Sequence, residues 1–238
     1  MKKQRLVVFS GAGISAESGL KTFRGNDGLW ENHNIYEVAT PEAWKSNPEL
    51  VLRFYNERRK QLKDAKPNNA HKLLSKLEAF FEVIIITQNI DDLHERAGST
   101  NVIHLHGELT KAKSESYPND IIKLDKERIE LGDLCQKGHQ LRPHVVWFGE
   151  EVPLMEMALQ TAFTADIFIV IGTSLNVYPA ANIINYLNKK CLRYLIDPEV
   201  PTALNNNGWI IIKDNAVNGM EILFKKLTKK EPLNSGSK

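Results

Sequence analysis

Cysteine is scarce: Cys135 and Cys191 are the only two in a chain of 238 residues. A disulfide scaffold and a four-cysteine zinc site are therefore both excluded. Charge of one sign is equally lacking, because 31 Lys and Arg face 29 Asp and Glu, a formal charge of +2. That balance excludes the broad basic surface of a nucleic-acid binder, so no nucleic-acid partner is expected. Long hydrophobic runs are missing too. Strictly apolar stretches such as Ile167 to Ile171 fall far short of the roughly 20 residues of a membrane span. The run at 6–9 behind the basic start is shorter than the roughly 7–15 residue core of a signal peptide. No membrane partner is expected, and few cysteines without an export signal suit a reducing cytoplasm. What is there is globular, 42% hydrophobic and 25% charged. A chain of this size buries about three-quarters of its unfolded surface and needs no disulfide or metal to hold it.

Short apolar runs at 6–9, 83–86, 167–171, 194–196 and 209–212 predict strands. They are rich in β-branched residues and continuous rather than alternating, which suits parallel strands covered on both faces. Segments 49–63, 70–80, 155–164 and 180–189 have helical period, and Pro48 suits a first helical turn. Strands alternating with helices predict an α/β fold, a doubly wound parallel sheet of the Rossmann-like kind. Each run leads into small or polar residues: Gly11-Ala12-Gly13, Gln88-Asn89-Ile90-Asp91, Gly172-Thr173-Ser174, Asp197-Pro198-Glu199 and Asp214-Asn215-Ala216. In a parallel sheet all of these share the carboxyl edge, where open α/β sheets bind ligands. Segments at about 22–65, with Trp30, Trp44, Phe54 and Tyr55, and about 108–142, polar with turn signals, break the pattern. Together they predict a smaller lobe inserted over that edge. One catalytic domain over 1–228 is expected, with a disordered polar tail at 229–238.

The stretch from Gly11 to Gly19 follows the first strand and opens a helix. Glycines there let backbone N–H groups approach a pyrophosphate. The spacing is not G-x-G-x-x-G, so a plain strand-to-helix turn stays open on spacing alone.

The run GAGISAESGLKTFRG at 11–25 resembles the opening signature of the sirtuins, the NAD-dependent protein deacylases. The match continues through Thr87-Gln88-Asn89-Ile90-Asp91, His104-Leu105-His106-Gly107, Val146-Trp147-Phe148-Gly149-Glu150, Gly172-Thr173-Ser174 and Val177-Tyr178-Pro179-Ala180-Ala181, in the family's order. The resemblance implies NAD as co-substrate and acylated protein lysines, presented on extended peptides, as partners. By that resemblance Gly11, Ala12, Gly13 and Ser15 cradle the pyrophosphate, and Phe23 and Arg24 lie on a loop near the nicotinamide. Asn89 and Asp91 hold the nicotinamide amide, and Gln88 binds the adjoining ribose. Gly172, Thr173 and Ser174 meet the adenosine side. Asp197 stands where the family usually has asparagine, and Ala216 closes the same side. His106 matches the catalytic histidine, a general base on a ribose hydroxyl after the acyl oxygen has attacked the ribose carbon and nicotinamide has left. Imidazole suits that task because its pKa lies near neutrality. His104 lies two residues earlier, and on an extended strand both histidines would share a face. Val146 and Phe148 fall in the segment that pairs with the substrate backbone, in the manner of an added β-strand.

Tyr55 and Arg58 lie three apart and share a helix face. Within the sirtuins, Phe54-Tyr55-Asn56-Glu57-Arg58-Arg59 resembles the class III branch, where this Tyr and Arg line the acyl pocket and a small residue, here Ala39, enlarges it. An Arg fork binds a terminal carboxylate bidentately, which implies desuccinylase and demalonylase activity with some deacetylation. Without the resemblance, Arg58-Arg59-Lys60 would be a solvated basic face. The family's two Cys-x-x-Cys pairs fall on Ser114 and Tyr117, and on Cys135 and Gly138. The expectation is no metal and no zinc, with the lobe held by Ile121, Ile122, Leu124, Ile129, Leu131 and Leu134. Competing readings are a nicotinamide oxidoreductase, an NAD or ADP-ribose reader, and a mono-ADP-ribosyltransferase.

Overall fold

The structure, a computed structural model, describes residues 3–21, 29–30, 33–117, 119–202, 204 and 208–229. In chain order the elements are β1 (Arg5–Ser10), a 3-10 helix (Ala12–Ser18), β2 (Leu29–Trp30), β3 (His33–Asn34), α1 (Ile35–Val38), α2 (Pro41–Ser46), α3 (Pro48–Asp64), α4 (Asn69–Leu77), β4 (Glu82–Thr87), α5 (Leu93–Arg96), β5 (Val102–His104), β6 (Gly107–Ser114), β7 (Ile121–Lys123), β8 (Leu141–Val145), α6 (Met155–Phe163), β9 (Ile167–Ile171), a second 3-10 helix (Ala180–Tyr186), β10 (Leu192–Ile196), β11 (Trp209–Ile212) and α7 (Ala216–Thr228). The expected strands lie parallel in one six-stranded sheet of order β11-β10-β9-β1-β4-β5. Leu6 pairs with Val83 on one side and Ile167 on the other, so the most apolar runs occupy the centre.

Period-two alternation divides each strand between two cores. Val7, Phe9, Ile84, Ile86, Phe168 and Val170 face α6 and the second 3-10 helix. Leu6, Val8, Val83, Ile85, Ile167 and Ile169 face α4 and α7. Both faces are covered, as continuous apolar strands require. Asparagines start the helices: Asn47 accepts from Leu50 N–H ahead of Pro48, and Asn68 accepts from Ala70 and His71 N–H, the usual N-cap arrangement.

The smaller lobe is present, and its make-up corrects the sequence reading. Helices α1–α3 pack with a three-stranded antiparallel sheet, β7-β6-β8, around a third core. Of the apolar residues expected to hold it, Ile129 is fully buried and Ile122 and Leu124 pack partly buried against the core, while Ile121, Leu131 and Leu134 are exposed. Most of the burial comes from Leu109, Ala112, Leu141, Val145 and Trp147 against Trp44, Phe54 and Tyr55 of the helices. Polar bonds add to it: Asn56 donates to Ile129 O (2.9 Å) and accepts from Ile129 N–H (3.0 Å), and Arg59 donates to Leu109 O and to Asn56. Arg58 and Arg59 are both buried, which goes against the solvated basic face that these residues would suggest without the resemblance.

Strand β5 and helix α7 were not foreseen, and the expected helix at 180–189 is a 3-10 helix ending at Tyr186. No helix among the described residues is long and apolar enough to cross a membrane. Apart from Lys229, the polar tail lies outside the described residues.

Candidate active site

From β1 the chain moves to β4 and β5 on one side, then returns to β9, β10 and β11 on the other. A crevice therefore opens at the carboxyl ends of β1 and β9, where the strand order reverses. Its floor is bare backbone. Gly11 N–H donates to Ile171 O at 3.1 Å and Gly13 N–H to Gly172 O at 2.8 Å. A Cβ on Gly13 would lie 2.7 Å from Gly172 Cα, and one on Gly172, at φ +61°, 2.3 Å from Ile14 N. Neither position admits a side chain. Such a floor lets a bulky anion reach backbone N–H groups, so these residues fit the diphosphate of a dinucleotide.

A chain of polar side chains runs from that floor to β4. Ser15 Oγ donates to Asp91 Oδ2 (3.0 Å) and accepts from Asn89 Nδ2 (3.2 Å). The Ser15 hydroxyl thus sits between Asn89 and Asp91 rather than standing apart in the cradle. Burial pushes the Asp91 carboxyl up to about 6, opposed by the Leu93 N–H and the Ser15 hydroxyl that bond it. Gln88 Nε2 donates to Thr173 Oγ1 (2.9 Å), joining the loops after β4 and β9. Leu175 in the second of these loops is buried at φ +56°, a conformation that a non-glycine residue keeps only where packing enforces it.

The two histidines separate, contrary to the shared face expected of them. Strand β5 stops at His104, and the chain turns through Leu105 and His106 into Gly107, whose φ is +80°. A Cβ on Gly107 would lie 2.2 Å from His144 O, so the turn requires glycine. His104 is clasped on both ring nitrogens, by Asn89 O (3.0 Å) and Glu95 Oε1 (2.8 Å). Both partners accept, so both nitrogens carry protons. Burial disfavours that charge, but the Glu95 bond and charge and the Asn89 carbonyl outweigh it and raise the pKa. An imidazolium held this way has no lone pair for a base. His106 has one such bond, Nδ1 to Gln88 O at 3.0 Å. The carbonyl accepts, so Nδ1 is protonated and Nε2 keeps the lone pair. Burial lowers the His106 pKa, partly offset by the Gln88 carbonyl, leaving the ring neutral at pH 7.

His106 lines one continuous cavity with Gly11, Ala12, Gly13, Ser15, Gln88, Asn89, Asp91, Gly172, Thr173 and Ser174, and with Ala39, Tyr55, Arg58, Val146 and Phe148. Arg58 is buried in the wall with its guanidinium 4.7 Å from the Phe54 ring centroid. Tyr55 Oη accepts from Trp147 Nε1 at 3.1 Å, and burial raises the phenol pKa. Val146 N–H donates to His106 O and Phe148 N–H to Ala39 O, so main-chain donors on this segment are already engaged inside the protein. Asp197 and Ala216 stand at the carboxyl ends of β10 and β11 but do not line the cavity. Phe23 and Arg24 lie outside the described residues. Lining residues that the motifs did not single out include Lys21, Gln61 and Leu62. Leu62 follows Tyr55 and Arg58 at helical spacing, a signal that could have found it.

Fold and floor define a dinucleotide-binding α/β enzyme. The chain belongs to the Sir2 family, whose model matches residues 11–179. It is 53% identical over 224 residues, 94% of this chain and 95% of the relative, to the NAD-dependent protein deacylase of Helicobacter pylori (strain J99 / ATCC 700824). Similarity to the NAD-dependent protein deacylase of Bacteroides thetaiotaomicron is 48% over 229 residues, covering 94% and 98% of the two chains. Among solved structures, a Sir2 homolog-NAD complex superposes with a TM-score of 0.85 at 38% identity over 94% of this chain and 90% of that one. A Sir2-p53 peptide-NAD+ complex gives 0.76 at 28% identity, covering 94% and 93%.

Proposed function

We propose that this chain is an NAD-dependent protein lysine deacylase that removes succinyl and malonyl groups, and acetyl groups as well, from extended peptide segments of its substrates. The observation that carries the acidic preference is the burial of Arg58 and Tyr55 in the wall of the cavity that His106 lines. A buried guanidinium binds a terminal carboxylate far better than a neutral methyl end. Relatives named NAD-dependent protein deacylase support the reaction class. Bound NAD would supply an electrophilic ribose carbon with nicotinamide as leaving group. The side-chain-free floor at Gly11, Gly13 and Gly172 leaves room for its diphosphate against the main chain, and Asn89, Ser15 and Asp91 orient the amide. His106 takes a ribose hydroxyl proton on Nε2, while its Nδ1–H bond to the Gln88 carbonyl steadies the charge that forms. That poised base favours an enzyme over a passive reader. The peptide enters past Phe148 and Tyr178, both exposed at the mouth.

The test incubates acetyl-, succinyl- and malonyl-lysine peptides with NAD and follows deacylation and nicotinamide release by mass, with His106→Tyr as control. In Arg58→Met the ratio of desuccinylation to deacetylation should fall at least about tenfold, the worth of a charge-assisted bond; an unchanged ratio would sink the acidic preference.

We also propose that the small lobe folds without zinc. The four positions of the family's cysteine pairs gather in space. Cys135 Sγ donates to Ser114 Oγ (3.6 Å), and Ser114 Oγ accepts from Ser116 and Tyr117 N–H. Lys137 lies over the Tyr117 ring at 4.0 Å, and His139 packs on its edge. One thiol and one imidazole fall short of the four ligands that structural zinc takes.

A further inference from the structure

We infer that His104 is a positioning residue for the NAD site, acting through the main chain of Asn89; the inference rests on the amide-orienting role proposed above for Asn89 and Asp91. Three successive carbonyls of the loop after β4 are held from residues 104–109. Gln88 O accepts from His106 Nδ1 at 3.0 Å, Asn89 O from His104 Nδ1 at 3.0 Å, and Ile90 O from Leu109 N–H at 2.7 Å. The last is a main-chain bond that almost any residue could make, and the first belongs to the proposed base. The middle bond comes from a side chain with no lone pair to offer the reaction, so its contribution is placement.

What it places is the amide-orienting pair. Asn89 N–H donates to Thr87 Oγ1 at 3.0 Å, and Asn89 Nδ2 donates to the Ser15 hydroxyl that bonds Asp91. A planar trans peptide turns as one piece, so the bond to Asn89 O fixes the peptide unit that leads from Asn89 toward Asp91. The His104 ring is held against swivelling out of that bond. It is buried, and its Nε2 donates to Glu95 Oε1 at 2.8 Å. Glu95 lies on α5, which follows the loop, so one ring ties residue 89 to residue 95 with Asp91 between them. Both bonds are charge-assisted, stronger than those of a neutral ring. The same charge favours the ionised Asp91 against the burial that raises its pKa.

The test compares His104→Leu, His104→Asn and Asn89→Ala in the full-length enzyme, with folding checked by thermal unfolding. An acetyl-lysine peptide serves throughout, so the result is independent of the acidic preference. In His104→Leu the KM for NAD, and its Kd by calorimetry, should rise about tenfold, the worth of one charge-assisted bond. The changes in kcat and in the peptide KM should be smaller. His104→Asn puts an amide N–H where Nδ1 stood and should recover most of the loss, which a purely structural role of the ring would not allow. Should His104→Leu not fold, Glu95→Ala decides. Glu95 is partly exposed, the ring stays in place without its anchor, and the KM for NAD should still rise about threefold. Equal changes for NAD and peptide, or no recovery in His104→Asn, would overturn the inference while Asn89→Ala still raises the KM for NAD. If Asn89→Ala leaves that KM unchanged, the amide-orienting role itself has failed, and the role of His104 fails with it.

Discussion

At the carboxyl edge of the six-stranded sheet the working surface is backbone, and in the small lobe it is side chain. Gly13 and Gly172 meet so closely that a single added carbon would collide with main chain. In the lobe, by contrast, Asn56 grips Ile129, Arg59 grips Leu109, and Cys135 bonds Ser114. A surface made of backbone has one chemical solution, because no side chain can substitute for the absence of one. Contacts made by side chains have several solutions, and a thiol, a hydroxyl or an aromatic–cation stack can fill the same place. The cleft should therefore fail sharply on small changes, and the lobe should yield by degrees.

The largest effect belongs to the cleft. His106→Gln keeps a polar side chain but loses the base, and kcat for deacylation should fall about 10²- to 10⁴-fold, measured by the mass of the deacylated peptide. A fall smaller than tenfold would move the base elsewhere. Next comes Gly172→Ala. Positive φ and a 2.3 Å approach to Ile14 N should cost at least about 2 kcal/mol of stability and abolish NAD binding by calorimetry. If this variant binds NAD normally, the contrast between the regions is wrong.

Asn56→Ala breaks the lobe side of the comparison more gently. The variant leaves the Ile129 N–H and C=O without their clamp, a loss of about 1–3 kcal/mol. Amide exchange should quicken at β6 and β8, while β1, β4 and β9 keep their protection. Equal loosening of both regions would show that they unfold as one unit.

Acid should act through buried histidines. His71 and His94 stack edge to face at 4.9 Å beneath the large sheet. Burial lowers His71 to about 4 and holds His94 well below its ordinary value. Unfolded, each takes a proton near pH 6.5. Between about 6.5 and 4 the unfolded chain therefore binds more protons than the folded one, so stability is full above that window and falls as pH drops through it. His144 on β8, lowered to about 4 mainly by burial and then by Lys113, adds the same dependence in the lobe. Urea unfolding at pH 7, 6 and 5 should show the loss, with a shallower slope in His71→Leu; a slope unchanged by that variant would mean His71 is solvated.

What the sequence made legible follows the same division. Runs such as Ile167–Ile171 have one place to go in a covered parallel sheet, and the glycines after β1 and β9 are readable because backbone contact demands them. Strand β5 escaped because three residues ending in His104 carry too little apolar pattern. Strand β6 escaped because GELTKAKS alternates with small and charged residues, its buried positions including Gly107, Ala112 and Ser114. The separation of His104 from His106 was hidden in one positive φ at Gly107. Arg59 looked solvated because its burial depends on Leu109 of β6, fifty residues away in the chain, and Arg58 because a charged residue one turn after Phe54 reads as surface until the lobe closes over both. Phe23 and Arg24 lie outside the described residues, so their expected place beside the nicotinamide is carried by resemblance alone.

The smallest expected effect is the sharpest for the lobe. Among the described residues, no group of three or more His, Cys, Asp or Glu side chains is arranged to hold a metal. If Ser114, Cys135 and the Tyr117–Lys137–His139 stack do the joining, prolonged treatment with a strong chelator should leave the unfolding midpoint unmoved. Cys135→Ala should then cost no more than a small buried group with one weak bond, about 1 kcal/mol. A lobe organised by zinc would behave in the opposite way. Its folding would depend on metal binding worth on the order of 10 kcal/mol, chelation would melt it, and elemental analysis of the purified protein would find close to one zinc per chain. Those outcomes lie so far apart that one titration with chelator, read by amide exchange at β6 and β8, decides between a side-chain joint and a metal.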